Sequence, residues 1–478
     1  MKVLVVGSGA REHAIVWKLA TGSAVDTIYC APGNGGTALI ARNLDIRCET
    51  EAQCDRLAGW AFSNGIELVI IGPEVPLRHG LADSLMLLQV PVLGPTQAAA
   101  RIEWSKSWAR DFMARHDIPA PGYTVVQGID TAIEKLRSPE TAYPLVLKAD
   151  GLAAGKGVAV VGSAEEGADA LAHLATSHLL DTEATADGAG TGQGAVVLFE
   201  EFLRGYEVSA LAFTDGKHCA MMPPACDYKR LLDGDEGPIT GGMGAYSPTR
   251  RIDGALWTLV ERDIIQKAVD ALASEGTPFR GVIYAGLMIT EQGPKVLEFN
   301  CRMGDPETQV LLPRLVTPLE EIGLAIADGN LGRVLPLNWS PDVTVGVVLA
   351  SEGYPTAKSP GVPVRGLGDL SEGVLVFHGG TELEGAISLT ADEGGGASPN
   401  KGKSLFRSLI SREPKPTEIL EGEMQLVANG GRILTVVGRG LDIEAARKAA
   451  YGDIERITMP GVQYRRDIAA REINATTP

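Results

Sequence analysis

Short apolar runs alternate with helical patterns in the N-terminal part of the chain, and this alternation constrains the fold more than any other feature. KVLVV (residues 2–6), ELVIIG (67–72) and VPVLG (90–94) have the composition of buried strands, with helical stretches between them. Strands that alternate with helices build βαβ units, so the strands lie parallel and helices cover both faces of the sheet. Ligands bind such sheets beyond the carboxyl ends of the strands. The sequence therefore predicts an N-terminal parallel α/β domain with a ligand site at that edge.

The chain is too long for a single hydrophobic core. At 478 residues it is expected to form about three domains. We place them at residues 1–101, 102–330 and 331–478, with a small lid at about 122–196 in the second and an insertion at about 384–426 in the third. A helical run from near Arg101 to His116 opens the second region. The Gly- and Pro-rich composition of the insertion predicts a mobile segment.

Charge and composition argue against several classes of protein. The formal net charge of −17 disfavours a general nucleic-acid binder, because phosphate affinity comes from clustered Lys and Arg. No run of about 18 apolar residues occurs, and the start MKVLVVGSGAREHA lacks a signal-peptide pattern, so we expect neither a membrane span nor secretion. Six scattered cysteines predict free thiols in a reducing cytoplasm: Cys30, Cys48, Cys54, Cys219, Cys226 and Cys301.

The glycine turn GSGARE (residues 7–12) is a poor dinucleotide-binding motif. The third glycine of GxGxxG is replaced by Glu12, and the second strand does not end in an acidic residue. Glycines before a helix still offer backbone N–H groups to a phosphate. A nicotinamide site is therefore disfavoured, whereas a phosphate-bearing ligand is not.

A second glycine-rich loop, KADGLAAGKGV (residues 148–158), carries two lysines. Lys148 lies near the end of an apolar strand, and Lys156 lies between Gly155 and Gly157. Glycines let the backbone fold over phosphate oxygens while the ammonium groups neutralise their charge. The loop does not match the P-loop pattern GxxxxGK[ST]. A plain hairpin with solvent-facing lysines remains an alternative.

The segment EFNCRMGDPETQ (residues 298–309) is the most specific in the chain. Glu298 and Asn300 are two residues apart on a strand, so both side chains leave the same face. A carboxylate beside an amide oxygen suits Mg²⁺ that bridges nucleotide phosphates. Arg302 follows and can bind a phosphate or a carboxylate through two parallel hydrogen bonds. A surface turn without ligands is the alternative.

Eight segments resemble, in matching order, the phosphoribosylamine–glycine ligase (glycinamide ribonucleotide synthetase) family of ATP-grasp enzymes. They are GSGAREHA, APGNGGT (31–37), GPEVPL (72–77), KADGLAAGKGV, EEFLRGYEVS (200–209), TGGMGAYSP (240–248), YAGLM (284–288) and EFNCRMGDPETQ. The resemblance covers nearly the whole chain. It implies an α/β and α+β multidomain fold with an N-terminal parallel α/β (pre-ATP-grasp) domain. An ATP-grasp core with a small lid and a C-terminal mixed α/β domain would follow.

The resemblance also implies roles for individual residues. It implies Mg²⁺ or Mn²⁺ ligands at Glu298 and Asn300, and catalytic roles for Arg302, Asp305 and Lys229. The residues implied to bind ATP are Lys106, Lys148, Lys156, Gly155, Gly157, Glu200, Glu201 and Glu207. Those implied to bind the other substrates are Gly9, Arg11, Glu12, Asn34, Glu74 and Gly242.

The implied reaction is the ATP-dependent ligation of glycine to 5-phosphoribosylamine in purine biosynthesis. Its products would be glycinamide ribonucleotide, ADP and phosphate, formed through glycyl phosphate. One alternative is another ATP-grasp carboxylate–amine ligase that uses a different acid or amine. A second is a nucleotide-binding regulatory protein without catalysis. We expect a monomer with small-molecule substrates and with neither nucleic-acid nor membrane partners.

Overall fold

The N-terminal region is built on a parallel sheet. A computed structural model describes residues 1–151, 157–176, 195–357, 361–384 and 425–473 of the chain. The first region contains β1 (Lys2–Gly7), α1 (Ala10–Ala20), β2 (Thr27–Pro32), α2 (Thr37–Ile40), β3 (Arg42–Asn43), α3 (Glu51–Ser63), β4 (Leu68–Ile71), α4 (Glu74–Arg78), α5 (Leu81–Leu87), β5 (Val92–Leu93) and α6 (Gln97–Trp104). The strands lie in the order β3-β2-β1-β4-β5 and all pair in parallel, which confirms the predicted parallel α/β fold.

Strand β1 shows why this sheet is covered on both faces. Leu4 packs in one apolar core together with Leu57 of α3, whereas Val5 packs in a second core with Ile15 of α1. Successive side chains of a strand point to opposite faces, so a continuous apolar run has to be buried on both.

The helical run predicted from Arg101 to His116 is broken in two. Helix α6 ends at Trp104 and α7 (Lys106–Arg115) begins after Ser105, whose hydroxyl accepts a hydrogen bond from the amide of Trp108. The carboxylate of Asp150 accepts a further hydrogen bond from the amide of Lys106, at 2.6 Å. The single-helix prediction was wrong because these caps satisfy the first amides of a new helix. The break places Lys106 at the start of α7.

Two four-stranded antiparallel sheets form the middle of the chain. The small sheet has the order β6-β9-β7-β8, and the central sheet has the order β11-β10-β16-β17. The small sheet and its helices comprise β6 (Tyr123–Gln127), α8 (Ile129–Arg137), β7 (Leu145–Ala149), β8 (Val158–Val161), α9 (Ala164–Thr176) and β9 (Val196–Glu201). The rest of this region contains β10 (Tyr206–Thr214), β11 (Cys219–Met221), β12 (Cys226–Asp227), β13 (Arg230–Leu232), β14 (Glu236–Ile239), β15 (Gly244–Ser247), α10 (Gly254–Val260), a π-helical turn (Glu261–Gln266), α11 (Lys267–Ser274), β16 (Gly281–Thr290), β17 (Gly293–Asn300), α12 (Glu307–Leu311) and α13 (Leu319–Ala327).

The C-terminal sheet draws strands from both sides of the boundary predicted near residue 330. Its order is β12-β15-β18-β23-β20, so two short strands of the middle region extend a sheet made mainly by later residues. The later elements are β18 (Val343–Ala350), β19 (Val362–Pro363), β20 (Leu375–His378), β21 (Thr381–Glu384), β22 (Gln425–Ala428), β23 (Arg432–Gly440), α14 (Ile443–Ile454) and α15 (Ala470–Ile473). The middle and C-terminal regions are therefore joined by backbone hydrogen bonds.

The predicted insertion falls between two paired strands. Strand β21 ends at Glu384, and β22 begins at Gln425, its direct register partner. Residues 385–424, which make up nearly all of the predicted insertion, lie outside the described residues.

Two cysteines depart from the expectation of free thiols. Cys48 and Cys54 form a disulfide, with their Cα atoms 4.8 Å apart. Cys48 precedes α3 and Cys54 lies in its first turn. The free-thiol prediction is wrong for this pair, while Cys30, Cys219, Cys226 and Cys301 are free. Within the described ranges, no helix is both long enough and apolar enough to cross a bilayer.

Candidate functional site

A cavity of about 1070 Å³ lies where the N-terminal, small, central and C-terminal sheets meet. Glu74, Lys148, Glu298 and Arg432 each reach it from a different one of these parts. A pocket of this size accommodates a nucleotide together with small substrates. Most of the residues predicted from sequence to act chemically line this one cavity.

Apolar side chains line the cavity between the small sheet and the central sheet. The lining side chains there are Val146, Val158, Val160, Met288 and Leu297. Phe202 and Leu203, in the connection between β9 and β10, belong to the same lining. An apolar slot beside a backbone connection is suited to a planar base, because the base is buried against side chains while backbone groups remain available to its polar edge.

A buried three-member charge network supports Lys148. Its Nζ lies 2.9 Å from Glu200 Oε2 and also donates to the carbonyl of Leu297. Arg110 binds the same carboxylate through Nε and Nη2, at 2.6 and 2.9 Å. Burial and the nearby Arg110 lower the pKa of Lys148. Burial would raise the pKa of Glu200, but Lys148 and Arg110 outweigh it and hold that pKa below its ordinary value. Glu200, predicted to bind nucleotide, thus fixes the lysine in place.

The glycine loop predicted to cover phosphates is only partly described. Lys106 Nζ donates to the carbonyl of Gly151 at 2.5 Å, and Gly157 lines the cavity. Gly155 and Lys156 lie outside the described residues. Lys106 and Lys148 therefore approach the cavity from α7 and from β7, both beside the start of this loop.

Glu298 and Asn300 are brought together as the two-residue spacing predicted. Both lie on β17 and both line the cavity. Burial would raise the pKa of Glu298, but Lys229, Lys148, Lys106 and Arg302 together hold it below its ordinary value. Glu298 is thus an anion surrounded by cations. Among the described residues, none of these cations forms an ion pair with it.

This pair fits Mg²⁺ or Mn²⁺ by its donor chemistry. A carboxylate and an amide oxygen are hard ligands, and Mg²⁺ commonly binds through one or two protein groups together with substrate phosphates. The described residues contain no cluster of three or more His, Cys, Asp or Glu that could hold a metal by themselves. The site therefore suits a metal that arrives with phosphate oxygens rather than one enclosed by protein.

Two carboxylates and one lysine form a second charged group in the cavity. Lys229 Nζ lies 2.8 Å from Glu207 Oε2. Burial would lower the pKa of Lys229, but Glu207 and Asp227 raise it well above its ordinary value. Asp227, a buried carboxylate at the end of β12, was not predicted from sequence. The available signal was that it lies two residues before Lys229, whose role was predicted.

Arg302 is clamped by two carboxylates from the N-terminal region. Its Nε donates to Glu74 Oε2 at 3.1 Å, and its Nη2 lies 2.8 Å from Glu103 Oε1. Burial would raise the pKa of Glu74, but Arg302 and Arg11 lower it to about 2. Burial raises the pKa of Glu103 despite Arg302. Glu103 was missed because its partner is distant in sequence.

Asp305 is tied to the C-terminal sheet through Arg432. Arg432 Nη2 lies 3.0 Å from Asp305 Oδ2, and Nη1 donates to the carbonyls of Asp305 and Gly241. Gln309 Nε2 donates to the other carboxylate oxygen at 2.7 Å. Burial would raise the pKa of Asp305, but Arg432 and Arg11 hold it below its ordinary value. Arg432 was not predicted from sequence.

Four residues predicted to bind substrate do not line the cavity: Gly9, Glu12, Asn34 and Gly242. Glu12 accepts a hydrogen bond from the amide of Gly9 at 2.6 Å and so caps α1. Asn34 donates to the carbonyls of Ser8 and His378 and accepts from two backbone amides of its own loop. Gly242 has φ +112°, and an added Cβ would lie 2.5 Å from Pro306 Cδ. The substrate role of these four residues stays a prediction. Arg11 and Glu74, predicted for the same role, and Glu201, predicted to bind ATP, line the cavity.

Sequence models of one family match the chain in three consecutive parts. They are described as phosphoribosylglycinamide synthetase N domain, matching residues 1–103, ATP-grasp (A) domain, matching 104–308, and C domain, matching 344–471.

Curated relatives match the chain over nearly its whole length. The chain is 40% identical over 473 residues to phosphoribosylamine–glycine ligase of Nostoc sp., covering 98% of this chain and 99% of the relative. It is 40% identical over 476 residues to the trifunctional purine biosynthetic protein adenosine-3 of Gallus gallus, where it covers 99% of this chain but 42% of that longer protein.

Solved structures show the same fold. The crystal structure of phosphoribosylamine–glycine ligase from Thermotoga maritima matches with a TM-score of 0.73 at 31% identity, covering 98% of this chain and all of that chain. The biotin carboxylase domain of Hydrogenobacter thermophilus 2-oxoglutarate carboxylase, solved with MgADP, matches with a TM-score of 0.65 at 14% identity over 97% and 91% of the two chains. At that identity the second likeness concerns the fold alone.

Proposed function

Because the chain belongs to the phosphoribosylglycinamide synthetase family, we propose that its central cavity is where ATP, glycine and 5-phosphoribosylamine meet. The chain is an ATP-dependent ligase with an ATP-grasp core. It joins glycine to 5-phosphoribosylamine and forms glycinamide ribonucleotide, ADP and phosphate in purine biosynthesis. The observation that best supports this cavity as the site is the anionic Glu298 with Lys106, Lys148, Lys229 and Arg302 around it.

The first chemical problem is that a carboxylate is a poor electrophile. Phosphorylation by ATP converts it into glycyl phosphate, whose phosphate is a good leaving group. Phosphoryl transfer depends mainly on positioning and on stabilising charge. Lys106 and Lys148 would neutralise the phosphates, and the buried network with Glu200 and Arg110 supports Lys148 in this role.

Glu298 and Asn300 would hold Mg²⁺ or Mn²⁺, whose chemistry there is to offset phosphate charge. We assign the apolar slot beside Phe202 to the adenine, with Glu201 and Glu207 near the nucleoside. Arg302, Lys229 and Asp305 then lie at the reacting end of the cavity. Arg11 and Glu74 are assigned to the remaining substrate.

Other parts of the assignment concern the chain as a whole. We propose that residues 1–101, 102–330 and 331–478 are its domains, with the small sheet as the lid, and that the protein is a cytoplasmic monomer. The small sheet supports the lid assignment, since its strands contribute Lys148 and apolar side chains to one wall of the cavity.

The direct test of the function is phosphate release from ATP with each substrate omitted in turn. Glycine, freshly made 5-phosphoribosylamine and ATP together should give stoichiometric phosphate and amide. Replacing glycine by other amino acids, and the amine by other amines, separates this reaction from that of a different ATP-grasp ligase. Faster turnover with another acid or amine would contradict the substrate assignment.

A further inference from the structure

Amide formation in this cavity releases a proton from the attacking amine, and none of the residues assigned so far has been given the role of accepting it. The attacking amine gains positive charge as it bonds to the carbonyl carbon and has to lose one proton. Most carboxylates along the cavity are already committed. Glu200 pairs with Lys148 and Arg110, and Asp305 pairs with Arg432.

Three carboxylates of the cavity form no ion pair within the described residues: Asp227, Glu298 and Glu307. Glu307 accepts hydrogen bonds from the hydroxyls of Ser209 and Tyr284, both at 3.0 Å. Glu298 is assigned to the metal. The carboxylate of Asp227, by contrast, has neither a hydrogen bond nor an ion pair to any other described residue, although the residue is only 8% exposed.

The backbone holds Asp227 firmly at the cavity wall. It pairs with Ala245 in the C-terminal sheet, and its carbonyl accepts a hydrogen bond from Arg471 Nη2 at 2.8 Å. The Arg471 guanidinium lies 3.9 Å from the ring centroid of Tyr228, the next residue. An unpaired carboxylate on a fixed backbone is well placed to meet a reacting group.

The groups around Asp227 bring the pKa of its carboxyl close to neutral pH. Burial, together with Glu307 of α12 and Glu207 of β10, raises its pKa, while Lys229 and Arg471 lower it, leaving it at about 7. Tyr284 of β16 also faces it. A general base is most effective when its pKa lies near the working pH.

We propose that Asp227 is the general base that accepts the proton of the attacking amine in the second half of the reaction. The inference rests on the proposed function. The amine nitrogen forms the C–N bond, and the bond between the carbonyl carbon and the phosphate oxygen breaks, with its electrons leaving on phosphate. Asp227 takes the N–H proton and later returns it to solvent.

The test separates the two half-reactions in Asp227→Asn. Positional isotope exchange in ATP with glycine alone reports phosphoryl transfer, and single-turnover amide formation reports the attack. We expect exchange within about 3-fold of wild type and amide formation lowered by about 10²- to 10⁴-fold. Wild-type amide formation should rise with pH through about 7, and this rise should be lost in the variant.

Two further variants control the experiment. Asp227→Glu keeps a carboxylate and should recover part of the rate. Asp233→Asn makes the same change in a neighbouring turn outside the cavity lining and should leave both steps near wild type. Amide formation by Asp227→Asn within about 5-fold of wild type, or an equal loss of both half-reactions, would overturn the proposal. If the wild-type protein made no amide from glycine and 5-phosphoribosylamine, that result would instead contradict the proposed function.

Discussion

At the scale of single residues, the cavity is organised by charges that come from distant parts of the chain. Arg302 meets Glu74 and Glu103, and Asp305 meets Arg432. Each partner offsets the cost of removing the other from water, so a buried charge left alone would be expensive. Glu298 differs, because several cations surround it without an ion pair to any described residue. It is therefore available to a ligand.

Replacing Glu298 tests the metal assignment. Glu298→Gln should fold normally but lower kcat by about 10²-fold or more, because a neutral amide cannot bind Mg²⁺ as a carboxylate does. The measurement is turnover as a function of Mg²⁺ concentration, with melting temperature as the check on folding. Glu291→Gln changes an exposed glutamate at the turn before β17 and should keep wild-type turnover. Near-normal turnover of Glu298→Gln at limiting Mg²⁺ would show that the assignment is wrong.

The ion pair between Glu74 and Arg302 should make the free energy of unfolding depend on pH. The pKa of Glu74 is lowered to about 2, so its ion pair with Arg302 stabilises the folded state above pH of about 4.5, and this contribution is lost as pH falls through 2. Glu74→Gln should therefore lose about 3 kcal/mol of unfolding free energy at pH 7 and much less near pH 2. Denaturant unfolding at several pH values measures this difference. The exposed Glu372→Gln should show no such trend, and a loss independent of pH for Glu74→Gln would contradict the explanation.

The side chains that act locally could be predicted from sequence, whereas their distant partners could not. Glu298 and Asn300 share a face because of strand periodicity alone, and the structure brings Lys148 to the same cavity. Arg110, Glu103 and Arg432 were missed because their contacts join segments about 90 to 200 residues apart. Nothing in local spacing signals such a pair.

At the scale of elements, apolar patterning predicted strands better than it predicted helix ends. The run KVLVV corresponds to β1 and ELVIIG to β4, since continuous apolar segments in a packed sheet are distinctive. The break at Ser105 was missed because its cap includes Asp150, 45 residues beyond. Short strands such as β12 and β15 depend on a partner from later in the chain.

The insertion yields a prediction at this scale. Glu384 and Gln425 are register partners, so a short Gly/Ser linker in place of residues 385–424 can close the β21–β22 hairpin. We expect the melting temperature to stay within a few degrees of wild type and ligation to persist. A matched deletion that also removes β21 and β22 should fail, because Gly35 donates to the carbonyl of Thr381 and Ala428 is buried. Unfolding of the shorter deletion would show that residues 385–424 contribute to the fold or to assembly.

At the scale of the whole molecule, the cavity is formed together by the three regions that were predicted as separate domains. The sheet that contains β15 and β23 crosses the predicted boundary, and Arg432 reaches from β23 to Asp305. Asn34 joins the N-terminal loop to the carbonyl of His378 in β20. The order of regions along the chain was predictable, but their convergence on one cavity required the tertiary structure.

We propose that glycine is activated in this cavity by phosphoryl transfer to its carboxylate. If so, one carboxyl oxygen leaves on phosphorus when the amine attacks. Glycine labelled with ¹⁸O in both carboxyl oxygens should transfer one label to each inorganic phosphate released, and mass spectrometry of the phosphate measures it. We expect singly labelled phosphate, formed in step with the amide product. Unlabelled phosphate, or AMP with pyrophosphate, would contradict it.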